Sequence, residues 1–271
     1  MSEGEEAFPS GDVVEHIAMG RPDAERARVF EEEALRVVHA GAGKGVVLRV
    51  IGALAFHHHC PEFAWIQAKL NRVYTDIDFA GYAKQSREIR DLFVSLGYNE
   101  DVEINSFHAE GGRLIFNHPV NEVHVDVFMD GLDFCHFIPW KGRLEVDSPT
   151  VPLAELLLEK MQIVSINEKD IIDTVMLLRE HEVTADDEDH VNSARVAALC
   201  SQDWGLWRTT TMNLDKVRDY LPHLDLDQVD RSVVEQRVGE LRRAIDAQPK
   251  TTKWKLRARV GDKVKWYKTI D

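Results

Sequence analysis

The chain has 271 residues, of which 44% are hydrophobic and 30% charged, ordinary values for a soluble globular protein and enough length for two domains. The net charge of −14 excludes broad, non-specific nucleic-acid binding by the whole surface. No run approaches the ~18 apolar residues of a membrane span, and the acidic start Met1-Ser2-Glu3-Gly4-Glu5-Glu6 is unlike a signal peptide, so a cytoplasmic protein with no membrane partner is expected. Cys60, Cys135 and Cys200 lie far apart and fit no zinc-knuckle spacing; reduced, buried thiols are expected.

Residues 12–39 read as two helices broken near Gly20-Arg21-Pro22, the second carrying Val29, Phe30, Leu35, Val37 and Val38. Gly41-Ala42-Gly43-Lys44-Gly45 lacks the phosphate-loop spacing and follows a helix, so it reads as a helix end and connector. Val46 to Ile51 is a buried strand by its β-branched content, followed by Gly52-Ala53 and a helix from Leu54 to Cys60. Such a junction presents free backbone N–H groups and the positive end of a helix dipole, a seat for phosphate.

Tyr74-Thr75-Asp76-Ile77-Asp78-Phe79 reads as a strand in which Asp76 and Asp78 share one face and Ile77 takes the other. Residues 84–96 form a helix with Ile89, Leu92, Phe93 and Leu96 on one side, ended by Gly97. Three strand-like runs follow at 101–107, 112–117 and 122–128, the first two joined as a hairpin through Glu110-Gly111-Gly112. In the third, Val125 and Val127 enter the core and Asp126 faces away.

After Ser148-Pro149-Thr150 the pattern is helical. One helix starts at Pro152 and carries Leu156, Leu157, Lys160 and Ile163, with Lys160 expected off the buried face. Asn167 reads as the N-cap of the next, and helices are expected near 187–202, 213–221 and 226–247. Asp203-Trp204-Gly205-Leu206-Trp207-Arg208-Thr209 is a polar and aromatic connector, read as interface or packing. From Lys250 onward eight basic residues face two acidic ones. There Trp254, Leu256, Ala258 and Val260 alternate with Lys253, Lys255, Arg257 and Arg259, which reads as a β-hairpin turning at Gly261-Asp262-Lys263. Its apolar face would pack on the body, leaving the basic face to solvent or to RNA.

If the strands of Asp76, Asp78 and Asp126 are neighbours, three carboxylates converge and repel one another by a few kcal/mol per pair at an effective dielectric of ~20. Hard oxygen ligands with room for phosphate oxygens suit Mg²⁺. A lone Asp-x-Asp is also common at strand ends and in solvated loops, so the third carboxylate carries the argument. His57-His58-His59-Cys60 with Cys135-His136 suggests zinc only weakly, because nothing selects the remaining ligands.

The order of these features, a strand ending in Gly52, a short helix, Asp76-x-Asp78 and then Asp126, resembles the nucleotidyltransferase superfamily of DNA polymerase β-like enzymes. The later stretches Leu156 to Lys160 and Lys169-Asp170-Ile171-Ile172-Asp173 are similar to its AbiEii-type branch, and more loosely to aminoglycoside nucleotidyltransferases. Thr75 to Phe79, Arg113 to Phe116 and Asp203 to Arg208 resemble a largely uncharacterised bacterial group of the same kind. The resemblance covers about residues 46–210.

It implies an α/β (α+β) fold with a mixed sheet, flanking helices and a helical C-terminal domain. The expected division is N-terminal helices at 1–45, a catalytic domain at 46–150, a helical domain at 151–248 and the basic tail at 249–271. It also implies transfer of an NMP group from an NTP to a hydroxyl, with Mg²⁺ or Mn²⁺ held by Asp76, Asp78 and Asp126. Gly52 and Ala53 would receive the triphosphate, Lys160 would reach the phosphates, and Asp170 or Asp173 would stand nearby. The acceptor is left open among a tRNA end, a protein and a small molecule, as is a toxin-like role. Ala53 stands where the family has Gly or Ser, which keeps a degenerate nucleotide-binding module as the alternative, beside an RNA-binding protein that uses its tail.

Overall fold

The computed structural model describes residues 23–68, 74–107, 112–120 and 123–269. The first of the two helices expected within 12–39 lies outside these residues. The second runs as α1 (Asp23–Gly43), burying Phe30, Ala34, Val37 and Val38. Its glycine-rich end is a connector, with Gly45 at φ +73°.

Strand β1 (Leu48–Ile51) leads directly into α2 (Gly52–His59), and a short α3 (Trp65–Ala68) follows. Then come β2 (Asp76–Gly81), α4 (Ser86–Ser95), β3 (Asn99–Glu100), α5 (Val102–Phe107), β4 (Arg113–Asn117) and β5 (His124–Met129). The five strands form one mixed sheet in the order β1-β2-β5-β4-β3. β2 and β5 are parallel and every other pairing is antiparallel. Parallel neighbours need a long crossover, and α4 lies within it. Beneath the sheet Ile77, Phe79, Val125 and Val127 are fully buried, and Phe79 meets Phe93 of α4 edge to face at 6.1 Å. That leaves the even-numbered acids Asp76, Asp78 and Asp126 on the other face.

The run 101–107 is helical as α5, against the strand expected from its Val102-x-Ile104 alternation. The Asp101 side chain accepts from the Ile104 N–H at 3.0 Å and its carbonyl from the Asn105 N–H, which starts a helix. Val102 and Ile104 are exposed, so the alternation marked no buried face. Only Asn99 and Glu100 join the sheet, antiparallel to β4. Residues 108–111, where the hairpin turn was expected, lie outside the described residues.

A small antiparallel pair, β6 (Gly131–Asp133) and β7 (Phe137–Pro139), precedes the helices α6 (Leu153–Met161) and α7 (Glu168–Glu180). Asn167 caps α7 through a reciprocal pair of bonds with Asp170. A short parallel pair joins β8 (Val183–Thr184) to β9 (Val191–Asn192), and because β9 lies in the stretch expected to be helical from 187, α8 begins late (Ser193–Gln202). α9 (Trp204–Tyr220) absorbs the polar and aromatic stretch, because Asp203 caps it by accepting from the Leu206 N–H at 3.0 Å. α10 (Gln228–Ala247) buries Val234, Val238, Leu241 and Ile245 at helical spacing. Among the described residues no helix is long and apolar enough to cross a membrane.

The tail is not a hairpin. Thr251 caps a helix, α11 (Thr252–Ala258), and a single 3₁₀ turn spans Gly261–Lys263. Tertiary contacts override the alternation: Trp254 packs against Trp207, Trp266 packs against Trp204, and Trp266 Nε1 donates to Thr209 Oγ1 at 3.0 Å. The Trp266 carbonyl passes so close to Gly205 that a Cβ there would lie 2.5 Å from it. The polar and aromatic stretch of α9 is thus the dock for the tail.

Candidate active site

The mixed sheet sets the site by register. Asp78 on β2 pairs directly with Asp126 on β5, and Asp76 pairs with His124. Asp76, Asp78 and Asp126 each offer a carboxylate oxygen, and these oxygens lie within 4.8 Å of one another. They line a cleft of about 220 Å³ together with Arg113, Glu159 and Phe134. Burial, then Asp76, Glu159 and Asp126, pushes the Asp78 carboxyl well above the ordinary carboxylate value, with Lys160 opposing. Three converging acids with a strained middle member are a donor set suited to a hard divalent cation.

Two residues that sequence reasoning did not place in the site stand beside these acids. Arg113 pairs with Phe128 in the β4–β5 register, two residues along from Asp126 and on the same face. Its Nε donates to Asp126 Oδ1 at 2.8 Å and its Nη2 donates to Oδ2. A carboxylate has lone pairs enough to accept this fork and still ligate a metal. His124 Nε2 lies 3.6 Å from the same carboxylate. Arg113 was visible in the text of the chain, but only the register puts it on Asp126.

Gly52 is required on two counts. It sits at φ +71°, and a Cβ there would lie 2.7 Å from Asp78 Oδ2. Its N–H is not free, against the expectation of an open phosphate seat: it donates to Glu159 Oε2 at 3.1 Å. Glu159 is the second residue missed, and burial raises its carboxyl above the ordinary value. Ala53 is half-buried in the first turn of α2, packed on the core.

Lys160 corrects a second expectation. Every residue of α6 is buried, because the helix packs against α2, α7, α8 and α9 at once. Lys160 therefore lies inside, with its Nζ 3.3 Å from Glu159, 3.3 Å from Asp173 and 3.5 Å from Asp170. It also sits over the Phe56 ring. Asp173 accepts in turn from Gln67 at 2.7 Å, and Gln67 accepts from the Tyr74 hydroxyl at 3.1 Å. One buried polar network thus runs from Tyr74, just before the acidic strand, through Gln67, Asp173, Lys160 and Glu159 to Gly52 at the cleft. Asp170 joins it while also capping α7.

The weak zinc suggestion fails as it stood. His136 Nε2 is bonded to Thr209 Oγ1 at 2.8 Å, and the Cys135 sulfur accepts from the Val164 N–H. Among the described residues neither forms a group with the α2 histidines that could hold a metal ion. All three cysteines are free and buried.

A second cleft, of about 430 Å³, opens between α9 and the tail, lined by Trp204, Trp254, Trp266, Lys253 and Lys265 among others.

No protein-family model matches the sequence, and no curated protein matches it. A solution structure of the antibiotic-resistance factor ANT(2'')-Ia aligns with 82% of this chain and 97% of its own, at 10% identity and a TM-score of 0.34. A likeness at that level carries no assignment.

Proposed function

We propose that the protein is a metal-dependent nucleotidyltransferase, moving an NMP group from an NTP to a hydroxyl with release of pyrophosphate. The observation that supports this most is Asp78 set opposite Asp126 on parallel neighbours, with Asp76 on the same face and Gly52 pressed against Asp78. Asp76 and Asp78 would hold Mg²⁺ or Mn²⁺ at the triphosphate, and Asp126 would serve a second ion at the acceptor side. When bound, the ions supply charge neutralisation on the departing pyrophosphate and a sharper hydroxyl nucleophile.

The chain's own groups then act by exchange. Arg113 balances Asp126 in their absence and can swing to the substrate, since its side chain is 36% exposed. Glu159 fills the Gly52 N–H with one anion until a phosphate oxygen replaces it. Lys160, held between Glu159, Asp170 and Asp173, governs how readily Glu159 gives way. The acceptor is an RNA end such as tRNA, a protein side chain or a small molecule, and the AbiEii resemblance suggests a toxin-like use.

A second reading, a nucleotide-binding module without turnover, is favoured by Glu159 on the Gly52 N–H together with Ala53. One assay separates the two: the purified chain with each labelled NTP, Mg²⁺ or Mn²⁺, and total RNA or lysate, beside Asp76→Asn/Asp78→Asn. Transfer of label by the parent alone supports the enzyme. Metal-dependent NTP binding without transfer supports the module, and neither binding nor transfer by the folded parent sinks both.

A further inference from the structure

We propose that His59, His181 and Asp189 form a second metal site, of a kind that takes Zn²⁺, tying the end of α2 to the end of α7. His59 is the last residue of α2, His181 is the C-cap of α7, and Asp189 lies between β8 and β9. Each offers one ligand atom, and these atoms lie within 4.8 Å of one another. The site is apart from the acidic cleft, and the proposal stands whether or not nucleotidyl transfer does.

The environment of His181 points to a cation. Its Nε2 lies 2.9 Å from the His59 carbonyl oxygen, and its Nδ1 lies 3.1 Å from the Asp189 carbonyl and 3.2 Å from Asp189 Oδ1. A neutral imidazole has one N–H and one lone pair, yet both nitrogens of this buried ring face oxygen acceptors. Two arrangements satisfy both nitrogens: an imidazolium donating from each to oxygen, or a metal at Nδ1, with Nε2–H donating to the His59 carbonyl and Nδ1 and Asp189 ligands together. The presence of His59 as a third donor within reach favours the metal. Imidazoles that bind metal commonly carry such a carbonyl on the far nitrogen, which sets the tautomer.

The spacing agrees. In a tetrahedral zinc site the ligand atoms stand roughly 3.3 Å apart, close to the 3.2 Å between His181 Nδ1 and Asp189 Oδ1. The His59 ring is steadied by Thr150 Oγ1 at its Nε2. Two imidazoles and one carboxylate prefer zinc or its neighbours to Mg²⁺, whereas the Asp76, Asp78 and Asp126 set prefers Mg²⁺. His181 is buried and the Asp189 side chain is 80% exposed, so a cation has a way in and the fourth position is open to water.

The test uses the full chain, stripped with a chelator and kept in excess Mg²⁺. Zn²⁺ is added by calorimetry, and Co²⁺ by visible absorption. One equivalent of Zn²⁺, tetrahedral cobalt bands and a zinc-dependent rise in Tm are expected. Asp189→Gly removes an exposed ligand at φ +56°, a backbone position glycine adopts freely. It should weaken zinc binding more than ~10-fold, and His181→Gln should abolish it. Asp76→Asn, in the other cleft, should leave it unchanged. A parent that binds no zinc overturns the site. So does zinc binding that Asp189→Gly leaves intact, whatever His181→Gln does, or binding lost in Asp76→Asn.

Discussion

Arg113 holds both carboxylate oxygens of Asp126, with Nε 2.8 Å from Oδ1, so the most buried of the three cleft acids already carries an organic cation. Arg113→Gln should therefore do two things at once. Without metal it should cost ~1–2 kcal/mol, the loss of a charged hydrogen-bonded pair discounted for the arginine's exposure. The rise in Tm on adding Mg²⁺ should exceed that of the parent, because three uncompensated acids gain more from the ion. An equal rise in both proteins would show that Arg113 and metal do not share Asp126.

Gly52→Ala places a methyl against Asp78 and forces a left-handed backbone on an L residue. It should cost ~1–2 kcal/mol in backbone strain alone, and displace Asp78 enough to remove the Mg²⁺-dependent rise in Tm. Ala53→Gly next to it should cost at most ~1 kcal/mol and keep that rise. The two variants are compared by thermal unfolding with and without Mg²⁺. Loss of the rise in both would mean the helix start as a whole, and not the Asp78 contact, governs the metal response.

Lys160→Ala removes the only cation placed among Glu159, Asp170 and Asp173 by the described ion pairs. Breaking a buried pair in this way costs ~3–5 kcal/mol, read as a lower urea midpoint. Adding Glu159→Gln should restore part of it by deleting one stranded charge. A change below ~0.5 kcal/mol would return Lys160 to the behaviour of a surface lysine.

The raised Asp78 carboxyl makes a prediction with a definite sign. Its folded value lies above its ordinary 3.8, so the fold favours the protonated form. The stability this contributes is full below 3.8 and is lost as pH rises through the raised value. Tm followed from about pH 4 to about pH 7.5 should fall more steeply for the metal-free parent than for Asp78→Asn. Mg²⁺ binds the ionised form and should cancel the excess slope. Parallel curves for parent and variant would remove Asp78 as the source.

Cutting the chain after Gln248 removes the partners of Trp204, Trp207 and Thr209, and should lower Tm by several degrees. Its effect on RNA is then ambiguous, so neutralising Lys253, Lys265 and Lys268 to Gln is the cleaner probe. The charge variant should keep its Tm. If the tail guides RNA, the salt dependence of binding should also flatten; unchanged binding at low salt would leave α11 and the residues after it as packing alone.

Much of this was readable along one dimension. Asp76, Asp78 and Asp126 fall on one face because strand side chains alternate, and the apolar spacing of α10 and the cap at Asn167 are likewise local patterns. Gly52 at the end of a buried strand was equally plain, since a strand passing into a helix needs a residue free to turn. Val102-x-Ile104 and the Trp254 to Val260 alternation misled for a related reason. In short segments the alternation costs nothing, and a cap from Asp101 or Thr251 outweighs it.

What the tertiary structure alone decided is which local pieces meet. Register set Asp78 against Asp126 and carried Arg113 onto the same carboxylate. Packing of α6 on all sides turned a lysine that reads as solvated into the centre of a buried acidic network. The fold brought His181 and Asp189 to His59 across more than a hundred residues of chain. A sequence carries periodicity and capping explicitly because those depend on neighbours a few residues apart. Charge pairing and burial depend on distances through space, which exist only once the chain has closed on itself.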